Sequence, residues 1–223
     1  MLTKFIESIL PNVSPLQGNT IEDDERVSFG KVAATTIGGQ VQAVDWTDSV
    51  IERCRFDSTT ITDSSFERVA ILDCGLSGVT FSNCLLRECL IVGVNAKFHF
   101  ALDNCILDRV MVARSRIDTF DVHNCNIAEI EFLGIESIRL NFHMCQAHKR
   151  NGRVLFEDCE IEKVGGLEAM GKQGVDVLVD APMWRDLGDY YLRERGIKQL
   201  EIGAVPKYNL LDELGQKQNW CTG

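Results

Sequence analysis

The sequence predicts an all-β solenoid. Three observations carry this: apolar residues recur every five positions, eight of nine cysteines fall in one column of that repeat, and the remaining columns are polar. Set out from Val44, the chain runs VDWTD, SVIER, CRFDS, TTITD, SSFER, VAILD, CGLSG, VTFSN, CLLRE, CLIVG and VNAKF. One extra residue, His99, precedes FALDN, CILDR, VMVAR, SRIDT, FDVHN, CNIAE, IEFLG, IESIR, LNFHM and CQAHK. After a second break, VLFED and CEIEK close the array. The third column is apolar from Trp46 to Ile161, with Ser137 as its polar member.

Each column has a physical role. In a short extended segment, positions one and three point the same way and position two points opposite. Columns one and three therefore face inward, and columns two, four and five face water. Columns four and five are rich in Asp, Glu, Arg, Ser, Thr, Asn and Gly, residues that suit a chain turning a corner. Five residues cannot enclose a core, so the coils must stack, each covering the apolar face of the last.

The cysteines at 54, 74, 84, 89, 105, 125, 145 and 159 all head a unit, and Cys221 alone lies outside the register. They read as small buried filler rather than metal ligands or disulfide partners. His143, Cys145 and His148 resemble a metal cluster on paper, but the register turns Cys145 inward and His143 outward. His123 and His143 are twenty residues apart and should stack as outward neighbours.

This pattern resembles the pentapeptide-repeat family over roughly residues 39 to 163. The family motif is a small residue, a polar residue, Leu or Phe, then two polar residues. The resemblance implies a right-handed, four-sided (quadrilateral) β-helix with about 20 residues per coil. The chain departs from the motif in using Cys and Val more than Ala in the first column. With coils of that size, Ser64, Cys84, Cys105, Cys125 and Cys145 form one vertical core ladder, the extra residue near His99 being bulged out. The array is then nearly six coils, a rod of about 27 Å at about 4.8 Å per coil, or about eight base pairs of duplex DNA.

Charge and composition narrow the function. The chain has 223 residues and a net charge of −10, of which residues 41 to 163 supply −6 from 19 acids and 13 bases. That balance opposes direct nucleic-acid binding, which needs clustered Lys and Arg. No apolar run is long enough to cross a bilayer, and the first apolar patch is broken by Glu7. The expectation is a cytoplasmic protein with no membrane contact. No nucleophile elbow, phosphate loop, HExxH or paired CxxC appears, so no enzyme activity, metal or cofactor is expected.

Two breaks in the pattern are candidate contact sites. HKRNGR at 148 to 153 gathers bases on an acidic body, and Asn151-Gly152 is a turn pair. His148, Lys149, Arg150, Asn151 and Arg153 are its candidate partner-contact residues. Residues 1 to 38 form a lead-in segment. Residues 164 to 223 lose the register and form a C-terminal cap: a strand at VDVLV, then a helix from Pro182 to about Arg195. Trp184, Leu187, Tyr191 and Leu192 on that helix would plug the open end or join a second copy as a homodimer. Pentapeptide-repeat proteins that protect DNA gyrase are joined through such a module, so the resemblance implies a DNA-mimicking rod that binds a type II topoisomerase and confers antibiotic or toxin resistance. The alternatives are a scaffold or adaptor for an unrelated protein and a catalytic β-helix with a groove of Asp and Arg.

Overall fold

The structure, a computed structural model, describes residues 14, 15, 26–28, 30–149, 151–180, 198 and 199. These residues form a parallel β-solenoid of about 7 turns. Its strands belong to two sheets, of 13 and 9 strands. Each eight-residue strand, such as Asp45–Glu52 or Arg55–Thr62, bends at a corner and so serves two sides of the coil. Asp45–Glu52 pairs in parallel with Ser65–Leu72, and Arg116–His123 with Glu136–His143. Residues twenty apart therefore stack.

We number the four sides from the units that begin at Val44, Ser49, Cys54 and Thr59. First and third columns line the interior on every side: Val44 and Trp46, Cys54 and Phe56, Cys105 and Leu107 are all buried. Phenylalanines run along the core, with Phe66 and Phe81 at 5.6 Å, Phe100 stacked on Phe120 at 4.7 Å and Phe132 on Phe156 at 5.0 Å.

The corners explain the fifth column. Asp48, Arg53, Ser58, Asp63, Arg68, Asp73, Asn83, Asn104, Arg109, Arg114 and Asn124 all have positive φ, as do Gly78, Gly93 and Gly134. A left-handed residue other than glycine costs about 1–2 kcal/mol, and none of these is β-branched. Repeated pairing between coils holds the backbone there.

Thiols and hydroxyls stitch these corners from inside. Cys84 Sγ donates to the carbonyls of Ser82 and of Ile61 in the coil below, at 3.3 and 3.5 Å. Cys105, Cys125 and Cys145 repeat the same pair of contacts. Ser64 and Ser115 head equivalent units and donate to Thr62 O and Ala113 O. The first column thus favours Cys or Ser because a small donor fits where corner carbonyls point inward.

The array absorbs two irregularities. At the first, Phe98 takes positive φ and is 78% exposed, and Phe100 resumes pairing with Val79. At the second, Val154 pairs with Ile130, so the loop before it lengthens one coil. Strands Arg26–Ser28, Gly30–Ala33 and Thr36–Gln42 stack below, and Val175–Val179 stacks on Gly152–Glu157 above. Helix α1, Leu167–Lys172, buries Leu167 and Met170 against the end of the core. Gly166 precedes it at φ 84, where a Cβ would lie 1.6 Å from Phe142 O. The expected helix at 182–195 lies outside the described residues.

Candidate functional site

Of the four sides of the array, the fourth has units with no Lys or Arg. Its units, TTITD, VTFSN, FALDN, FDVHN and LNFHM, contain Asp63, Asp103 and Asp121 and no Lys or Arg. Stacking at about 4.8 Å brings outward side chains into ladders. Gln42 Nε2 donates to Asp63 Oδ2 and Asn83 Nδ2 to Asp63 Oδ1, each at 3.2 Å; Asn104 Nδ2 donates to Asn83 Oδ1 at 2.6 Å. Asn141 Nδ2 reaches Asp121 Oδ1 at 2.7 Å, and His99 Nε2 lies 3.1 Å from the other oxygen. His123 Nδ1 sits 2.9 Å from Asp103 Oδ1, and its ring stacks on His143 at 5.1 Å. These bonds order the carboxylates through amides and imidazoles, with no Lys or Arg among the partners.

The first side differs because its acids are neutralised locally. Arg68 grips Asp48 through Nε and Nη2 at 2.6 and 2.7 Å and also meets Glu67 at 2.9 Å. Arg109 pairs with Glu88 at 2.6 Å, and Arg87 with Asp108 at 3.3 Å.

The loop after the second break is only partly open. Lys149 is exposed at positive φ, and Asn151 is exposed beside it. His148 is half-buried, its backbone N–H donating to Ile127 O at 2.8 Å. Arg153 is held by Glu129 and by Glu131, the latter at 3.7 Å. Arg150, Trp184, Leu187, Tyr191 and Leu192 lie outside the described residues.

The ladder Cys84, Cys105, Cys125 and Cys145 is wholly buried, and its thiols are free. Contact with Cys105 and burial push the Cys84 thiol up; burial pushes Cys89 and Cys159 up to about 12. Such sulfurs are poor nucleophiles and poor ligands. Among the described residues no three His, Cys, Asp or Glu groups converge on a metal position.

One feature lay hidden behind the five-residue period. On the second side the outward second column is Val50, Ala70, Leu90, Met111, Glu131 and Leu155, all buried, and Ala113 and Leu133 in the fourth column are buried too. The expectation of water-facing columns fails there. The signal was present in SVIER, VAILD, CLIVG, VMVAR, IEFLG and VLFED, every fourth unit, and needed a period of twenty to be seen. Glu131 is the polar member of its second-column row. Burial, then Glu129 and Glu157, push its carboxyl up to about 7 against the pull of Arg153.

No family model matches the chain, and no curated protein matches it. Among solved structures, QnrB1, described as a plasmid-mediated fluoroquinolone resistance protein, is similar in its trypsin-treated form. That match has a TM-score of 0.24 and 12% identity over 85% of this chain and 100% of the other. Its full-length form gives a TM-score of 0.17 and 10% identity over 80% and 98%. At these values the likeness carries no argument about function; the solenoid rests on the chain's own strand pairing.

Proposed function

We propose that this chain is a non-enzymatic pentapeptide-repeat rod that binds a protein, and that the partner is a type II topoisomerase, DNA gyrase, engaged through a DNA-like acidic surface in the cytoplasm. The supporting observation is the fourth side: Asp63, Asp103 and Asp121 on a flat ladder with no Lys or Arg. A basic groove built for phosphates would meet ordered carboxylates there without a competing Lys or Arg. The imitation is partial. The net −6 of residues 41 to 163 extends over about 27 Å, where duplex DNA would carry about 16 charges at one per about 1.7 Å. Binding should therefore be weaker than that of DNA and should fall as salt rises. A homodimer joined end to end would double the length and the charge, which is the role proposed for Trp184, Leu187, Tyr191 and Leu192.

A gyrase supercoiling assay with purified protein, with and without a quinolone, tests this reading. Dose-dependent inhibition or protection supports it. Unchanged supercoiling at micromolar protein removes it.

A second reading, an adaptor for another protein, draws on Lys149, an exposed base at a corner of an acidic rod. Lys149→Glu together with Arg150→Glu should abolish capture of a non-topoisomerase partner under that reading, and should leave gyrase effects intact under the first.

A further inference from the structure

The fourth side carries a ladder of three residues, Asp103, His123 and His143, at matching positions of successive coils. All three head outward from the fourth column of their units. His123 Nδ1 lies 2.9 Å from Asp103 Oδ1, and the His123 and His143 rings stack at 5.1 Å with 3° between their planes. Asp103 and His123 are partly open to solvent, and His143 is exposed.

The carboxylate at the foot of the ladder decides what the rings above it can do. An ionised carboxylate only accepts, so Nδ1 of His123 carries the ring proton and the lone pair stands on Nε2. The Asn124 amide, 3.3 Å from the same Nδ1, can turn its oxygen to that proton. A carboxylate behind an imidazole orients metal-binding histidines and raises their basicity. Among the described residues no hydrogen bond holds the His143 ring, so it can turn about its own bonds.

Two imidazole nitrogens on one tetrahedral ion, each at about 2.0–2.1 Å, stand about 3.3 Å apart. That is less than the ring spacing, and a tilt of the His143 ring toward His123 closes the gap. Asp121 lies two residues before His123 on the same face, but Asn141 and His99 occupy its two oxygens. The ligand set is therefore two nitrogens, with water in the remaining positions, which makes an exchangeable site rather than a structural one. Such a set suits zinc, copper(II) and nickel(II), which favour imidazole, and not magnesium or calcium, which take oxygen.

We propose that His123 and His143 form a binding site for a divalent transition-metal ion on the fourth side, with Asp103 as the residue that positions His123. A bound ion offsets the charge of Asp103 and Asp121, so occupancy sets the charge of this part of the surface. The assignment stands whatever the rod's partner proves to be.

Zinc titration of the full chain, followed by calorimetry and by the nitrogen-15 signals of the imidazoles, tests it. Zinc chloride should bind as one ion per chain and shift the His123 and His143 signals together, leaving those of His99 and His148 unmoved. Magnesium chloride should move neither. His143→Asn should abolish the His123 shift at zinc concentrations that saturate the unaltered chain. Asp103→Ala should weaken zinc binding by about 10–100-fold, and Asp103→Asn, which keeps an acceptor for Nδ1–H, should restore part of that loss. No shift at either histidine in millimolar zinc, equal shifts at all four histidines, or zinc binding undiminished in His143→Asn overturns the site. Affinity unchanged in Asp103→Ala overturns the positioning role.

Discussion

The second and fourth sides of this rod share one interior and have opposite exteriors. Inside, both present a first and a third column that are fully buried, as with Val110 and Val112 on one and Phe120 and Val122 on the other. Outside, the second side offers Leu90 and Met111, buried, where the fourth offers Thr80, Asp121 and Asn141, half in water. The winding therefore constrains only what points inward. Each outer surface is free to be chosen separately, because residues that share it are twenty apart and never neighbours in sequence.

The comparison can be broken by paired substitutions measured by denaturant unfolding. The largest contrast should come from Leu90→Ala and Thr80→Ala, both outward in the second column. Leu90→Ala should lose about 2–4 kcal/mol, as in a core, because it vacates a covered site. Thr80→Ala should change stability by no more than about 0.5 kcal/mol. Equal losses would show that the second side is not covered in solution.

Next in size is the pH behaviour of Glu131. Its carboxyl is pushed up to about 7 in the folded chain, mainly by burial. A raised acid favours its protonated form on folding, so its contribution is fully present below the ordinary carboxylate range and is lost as pH rises through about 7. Glu131→Gln should therefore match the parent near pH 4 and exceed it at pH 8 by on the order of 1–3 kcal/mol. A difference that is independent of pH would contradict the assignment.

Corner chemistry should give a smaller effect. Cys125→Ser keeps a donor toward Leu102 O and His123 O, whereas Cys125→Ala loses it and leaves a small void. Ala should cost about 1 kcal/mol more than Ser, read as a shift in the unfolding midpoint. Smallest of all are the outward ladders. Arg68→Ala, which removes the fork onto Asp48, should cost about 0.5–1 kcal/mol and less at high salt. Asn104→Ala on the fourth side should cost less still, with no salt dependence.

Much of the architecture was legible because it is written at a short period. Trp46, Ile51, Phe56 and their successors sit at every fifth position, and the alternation of an extended chain assigns them to one face without further information. The stacking of Cys84, Cys105, Cys125 and Cys145 follows once the coil length is taken as twenty and His99 is set aside. Other features were not legible for definite reasons. That Arg153 is held by Glu129 and Glu131 depends on how a loop of extra residues rejoins the coil below, and a run of bases in sequence does not show which of them find acids in space. The hydrogen-bonding role of the thiols was missed because column position alone shows burial, not where corner carbonyls point.

By itself the sequence determined the five-residue winding, the inward columns of the core and the placement of eight cysteines at the heads of units. Local sterics and the hydrophobic effect act there on residues close in the chain. Only the tertiary structure decided which acids are neutralised, which ladders form on the fourth side and that one outer surface is covered. Those outcomes depend on residues a full coil or more apart, brought within bonding distance only when the coils stack.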